Sequence, residues 1–200
     1  MTNIFDWINQ FRNAWGDNFQ ALGDLVLYAW IISFVNLVLC GGALNEKFGI
    51  QPRTWLGLVG ILFSPFLHKD WKHLIGNTIP FALLGCWVLL RGTTDDFWVV
   101  TLVIVVVGGL AEWLLGSPNT VSYGASGLVF GYVAFLIGQG YLEGNSLLVI
   151  GSIAIGGVYG FTLRGLLPGE TGISWQGHLF GFLAGMLAAS NMDTFRNMFL

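Results

Sequence analysis

From Ala125 to Tyr141, and again from Leu147 to Leu163, the chain carries no charged side chain, and from Phe97 to Leu115 it carries one, Glu112. Apolar runs of this length match the roughly 20 helical residues needed to cross the hydrocarbon core of a bilayer. In lipid no water is present to satisfy exposed backbone groups, so such runs must be helical. The whole chain conforms: only 10% of its residues are charged, against about 25% in soluble domains, too few to cover a surface in water. Its 200 residues accommodate one polytopic domain of roughly six spans. The 29 glycines point to close helix packing, since small residues let backbones approach where hydrophobicity cannot drive association.

The expected fold is therefore an all-α membrane protein with spans at Leu25–Leu44, Trp71–Leu90, Phe97–Leu115, Ala125–Tyr141, Leu147–Leu163 and Trp175–Ala189. Residues 1–23 mix Asp6, Arg12 and Asp17 with Phe5, Trp7, Phe11 and Trp15, and read as an interfacial amphipathic segment that is not a cleavable signal. The membrane domain covers residues 24–195, and residues 196–200 form a short tail. Residues 48–69 are too interrupted by Pro52, Arg53 and Pro65 for a span and too apolar for a solvated loop, which places them as a membrane-embedded first loop. Six spans put both termini on one side, and the Lys/Arg count does not decide which side.

Three histidines remain to do chemistry, each near the end of an apolar run. His73 and Asn77, one helical turn apart, share a face and could both point at an anion. His178 opens the last span and is followed by Gly181 and Gly185, which let that helix press against a neighbour, expected to be the helix of Ser126. Ser126 lies in Gly124-Ala125-Ser126-Gly127. A serine among glycines is equally a packing motif, but it becomes a nucleophile if a base takes its proton, and imidazole is the side chain suited to that near neutral pH. An attacked amide develops an oxyanion, for which the Asn77 amide, the His73 ring N–H and the Ser126 backbone N–H are candidate donors.

The segment Ser64-Pro65-Phe66-Leu67-His68-Lys69-Asp70-Trp71-Lys72-His73-Leu74-Ile75-Gly76-Asn77, followed by Gly124-Ala125-Ser126-Gly127 and by Gly177-His178 with Gly181 and Gly185, resembles the rhomboid family of intramembrane serine proteases in order and spacing. The resemblance covers roughly residues 25–190. It implies a six-helix bundle in which Ser126 is nucleophile and His178 general base, with no third carboxylate. It assigns His73, Asn77 and the Ser126 backbone to the oxyanion site and Phe130 to packing on the catalytic imidazole. The Trp-Arg pair common in the family's first loop is missing, and Pro52-Arg53-Thr54-Trp55 stands in that region instead. The implied activity is endoproteolysis of transmembrane segments near a membrane surface, with membrane-protein substrates and the bilayer as partners and no cofactor. The compact size points to a prokaryotic plasma membrane.

Two other readings belong to different classes: a non-catalytic rhomboid-like protein that binds membrane clients, and a small transporter using intramembrane His, Glu112 and glycine-broken helices. No His-Glu-x-x-His pair suggests a metal, and no phosphate loop or basic stripe suggests nucleic acid. Cys40 and Cys86 are expected to be free thiols, Glu112 to tie helices together, and His68 to brace a loop. A substrate gate is expected in the fifth span, with Gly151, Gly156, Gly157 and Gly160, and in the loop Arg164–Ser174.

Overall fold

In a computed structural model, residues 4–163 and 174–200 are described, without the side chains of 4–15, 17, 18 and 159–163; all regular elements are helical. Helix α1 (Ile4–Phe34) runs on through a π turn, Val35–Leu39. Its apolar stretch long enough to cross a membrane is Phe19–Leu39, earlier than the expected Leu25–Leu44, because Gly41 and Gly42 take positive φ (59° and 87°) and end it. Residues 4–23 continue into that helix without a break.

The first loop contains two short helices, α2 (Ala43–Phe48) and α3 (Trp55–Phe63), and a 3-10 turn at Ser64–Phe66. Thr54 starts α3 by accepting the Gly57 N–H at 3.0 Å. A cross-chain ladder of amides holds this region to α1. Asn36 Nδ2 donates to Asn45 Oδ1 at 2.8 Å, and Asn45 Nδ2 donates to the His68 carbonyl at 3.2 Å. Arg53, at φ 61°, donates to the carbonyls of Leu114 and Gly116, both at 2.9 Å. The region that lacks the Trp-Arg pair is thus fastened by a different arginine contact.

Helix α4 (Trp71–Arg91) is capped by Asp70, which accepts the His73 N–H at 2.7 Å. Helix α5 (Thr94–Val103) opens with a Thr93/Asp96 capping box and passes through a π turn, Ile104–Gly108, into α6 (Gly109–Leu115). Together Phe19–Leu39, Trp71–Arg91 and Thr94–Leu115 are the three helices long and apolar enough to cross a membrane among the described residues. Shorter apolar helices follow: α7 (Ser126–Leu142) and α8 (Ser146–Leu163). Then come α9 (Trp175–Ser190) and α10 (Met192–Phe199). The last was not expected; Arg196 on it pairs with Asp96 at 2.7 Å, closing the base of α5.

Helix α7 is the axis of the bundle, buried along most of its length. Tyr132, fully buried, stacks on Phe81 with ring centroids 5.6 Å apart. Its hydroxyl is 2.7 Å from Thr101 Oγ, which in turn reaches the Phe97 carbonyl at 2.6 Å. Helices α7 and α9 meet backbone to backbone. A Cβ at Gly181 would strike the Gly127 carbonyl, and one at Gly185 the Gly131 carbonyl. The spacing of four along both helices is what makes the two glycine pairs coincide.

Of the glycines expected to loosen α8, Gly151 is packed under the Trp87 ring and Gly156 under Val133, whereas a Cβ at Gly157 would meet open space. The side chain position of 160 and loop residues 164–173 lie outside the described residues. Both cysteines are free thiols.

Overpacking a tight interface costs about 1–3 kcal/mol. Gly185→Ala is therefore expected to lower the unfolding midpoint in detergent. Gly157→Ala, with room for the methyl group, is expected to leave it unchanged or raise it slightly.

Candidate active site

Helix α7 begins at Ser126 with no side-chain cap, so the N–H groups of its first turn, which have no intrahelical partner, are left to face an outside acceptor. The approach to that start is unusual. Ile50 and Ser122 form an antiparallel bridge, with N–H to carbonyl distances of 2.8 and 3.0 Å, and Gly124 N–H donates to the Ser64 carbonyl at 2.8 Å. Gly124 holds φ at 116°, a value that side chains strongly disfavour. A Cβ there would also stand 2.8 Å from the His73 ring and 3.5 Å from the Asn77 amide nitrogen. Glycine lets the chain pass directly over those two side chains and deliver Ser126 beside them.

His178 comes from the facing helix, and its Nε2 lies 2.8 Å from Ser126 Oγ. His178 is 3% exposed and Ser126 9%. Phe130, one turn below Ser126 on α7, sets its ring against the imidazole at 4.6 Å between centroids and 35° between planes. The structure thus brings Ser126, His178, Phe130, His73 and Asn77 to one place.

Ser126, His178 and His73 border a cavity of about 500 Å³, which Lys69, Asp70, Lys72 and Glu112 also line. His73 Nδ1 is buried without a hydrogen-bond partner. Just behind it, His68 meets His73 edge-on at 5.1 Å between ring centroids. His68 Nδ1 is 3.1 Å from Ser33 Oγ, and burial first, then the neighbouring His73, depresses its pKa to about 3. A neutral, buried ring bonded to α1 is a brace for the first loop, as expected for that residue.

Glu112 is buried and accepts a hydrogen bond from Ser174 Oγ at 2.5 Å. It does tie helices together, since Ser174 caps α9. One residue of this site escaped the reading of the sequence, Ser174, which stands there as the end of a loop and signals itself weakly as a serine three residues before Gly177 at a helix start. Gly124 is read there as part of the Gly124-Ala125-Ser126-Gly127 motif, and its φ adds the backbone role. No cluster of histidine, cysteine and carboxylate side chains that could hold a metal occurs among the described residues.

A sequence profile of the Rhomboid domain matches residues 55–192. The chain belongs to the rhomboid family. It is 38% identical over 175 residues to an uncharacterized protein of Mycobacterium tuberculosis, covering 82% of this chain and 72% of that one. An uncharacterized protein of Mycobacterium leprae is 41% identical over 140 residues, covering 66% of this chain and 55% of its own length. The Rhomboid-type serine protease 2 of the yeast Debaryomyces hansenii is 29% identical over 181 residues, covering 80% of this chain and 60% of that protein. With its apolar helices, this rhomboid is a multi-pass membrane protein.

Replacing Phe130 by leucine keeps an apolar side chain but removes the flat face under His178. Reaction of Ser126 with a fluorophosphonate is expected to slow about tenfold, as misplacement of a reacting group does, with the thermal midpoint moving by only a few degrees. An unchanged rate would reduce the ring contact to packing.

Proposed function

We propose that this rhomboid is an intramembrane serine endopeptidase that cleaves transmembrane segments of other proteins near a membrane surface, within a six-span bundle of a prokaryotic plasma membrane. The observation that carries the reading is the 2.8 Å contact between His178 Nε2 and Ser126 Oγ at the edge of a cavity. His178 takes the hydroxyl proton as Ser126 Oγ attacks the scissile carbonyl, then returns it to the leaving amine; water repeats the cycle on the acyl-enzyme. No third carboxylate is needed in this scheme, because Phe130 and the closely packed α9 orient the imidazole.

The carbonyl oxygen gains charge during attack. The Asn77 amide, the His73 ring and the N–H of Ser126 at the helix start supply preorganised donors, worth most where water is scarce. His73 donates from the ring nitrogen that faces the substrate.

A helical substrate keeps its carbonyls in backbone hydrogen bonds and must unwind before Ser126 can reach one. Helix-weakening residues near the cut favour this. Admission past α8 fits the open space beside Gly157, with the helix held just before it at Gly151 and Gly156.

The decisive measurement is cleavage of a labelled transmembrane peptide in liposomes. Ser126→Ala and His178→Ala are expected to abolish cutting while remaining folded, and Asn77→Ala to lower kcat by about 10²–10³, the loss seen for one oxyanion donor. Cleavage surviving in Ser126→Ala would overturn the mechanism. An inert wild type that still captures membrane segments would favour the client-binding reading instead.

A further inference from the structure

One buried acid has no part in the chemistry above. Glu112 is 6% exposed, inside an apolar helix where a carboxyl group is costly unless it is bonded. Its Oε1 accepts from Ser174 Oγ at 2.5 Å, and Ser122 lies close to the same carboxyl group. Ser174 in turn accepts the Gly177 N–H at 3.1 Å, which orients its own proton toward the acid. A Cβ at Gly177 would stand 2.8 Å from Glu112 Oε2, so the first turn of α9 rests on the carboxyl group. This is the end of the helix where the macrodipole favours negative charge.

The two serines hold matching places in the chain. Ser174 lies four residues before His178, and Ser122 four before Ser126. One acid from α6 is therefore bonded to the segment that delivers His178 and lies beside the one that delivers Ser126, in the wall of the cavity both border. The geometry points to Glu112 as the positioning residue that sets the separation of Ser126 and His178, acting through Ser174 and Ser122 and not by contact with the scissile bond. The role rests on the protease reading given above.

Because the chain has three histidines, protein labelled with 15N-histidine gives a ring spectrum simple enough to follow His178 directly. In Glu112→Ala the His178 ring signals are expected to shift or broaden while those of His68, braced by Ser33, hold still. Fluorophosphonate labelling of Ser126 should slow about tenfold or more, and peptide cleavage should lose kcat with little change in KM. Ser174→Ala should do the same, and the double variant should be no slower than either single one, since both act through one contact. Glu112→Gln, which keeps an acceptor for Ser174, should stay within about twofold of wild type.

Unmoved His178 signals with normal labelling in Glu112→Ala would overturn the role, and so would losses that multiply in the double variant. If Glu112→Ala fails to fold, Ser174→Ala decides by the same readouts. If wild type proves inert toward every peptide, the protease reading falls, and the His178 spectrum still shows whether Glu112 holds the ring in place.

Discussion

Helices in a bilayer gain nothing from hydrophobic association, because lipid tails are as apolar as leucine. What holds α7 to α9 here is contact between backbones, at Gly127 with Gly181 and Gly131 with Gly185. Ser126 is the immediate neighbour of Gly127, and His178 stands one turn before Gly181. The 2.8 Å between their side chains is therefore set by how closely two peptide planes approach. A single methyl group at Gly181 or Gly185 would push the two backbones apart without touching either side chain.

Burial of polar groups supplies the second constraint. Ser33, Asn36, Asn45, His68 and Glu112 all lie at less than a tenth of full exposure, in surroundings where an unmet hydrogen bond costs several kcal/mol. Each finds a partner on another element: Ser33 and His68 join α1 to the first loop, Asn36 and Asn45 fix its turn, and Glu112 joins α6 to α9. In water such bonds would exchange freely with solvent. Here they specify one arrangement of a loop that has no long helix of its own.

Much of this was legible in the sequence because lipid imposes a simple rule on long elements. The stretches around Trp71–Arg91 and Thr94–Leu115 announce themselves by length and by the polar residues that end them. The family was legible from three separated motifs, and the profile over residues 55–192 bears that out. The first loop was legible only as neither span nor solvated loop, since α2 and α3 are short and are stabilised by partners distant in the chain, such as Ile50 with Ser122. Helix α10 escaped because Met192–Phe199 is too short and too polar to resemble a span, and its tie from Arg196 to Asp96 crosses 100 positions. Gly124 was legible as a flank of Ser126, but its backbone role was not, since 29 glycines look alike until one of them is seen with φ at 116°.

The same packing that sets Ser126 against His178 leaves α8 differently held. Its first half is locked by interlocking shapes, Gly140 against Val149 and Gly151 against Trp87, Gly156 packs under Val133, and a Cβ at Gly157 would meet open space. These contacts are separate from those at Gly127 and Gly131 and the residues beside them. In the protease proposed above, rigidity for proton transfer and freedom to admit a helical segment make opposite demands on a small bundle. Placing the glycine contacts of α7 with α9 on one side and those of α7 with α8 on the other lets each demand be met by its own interface.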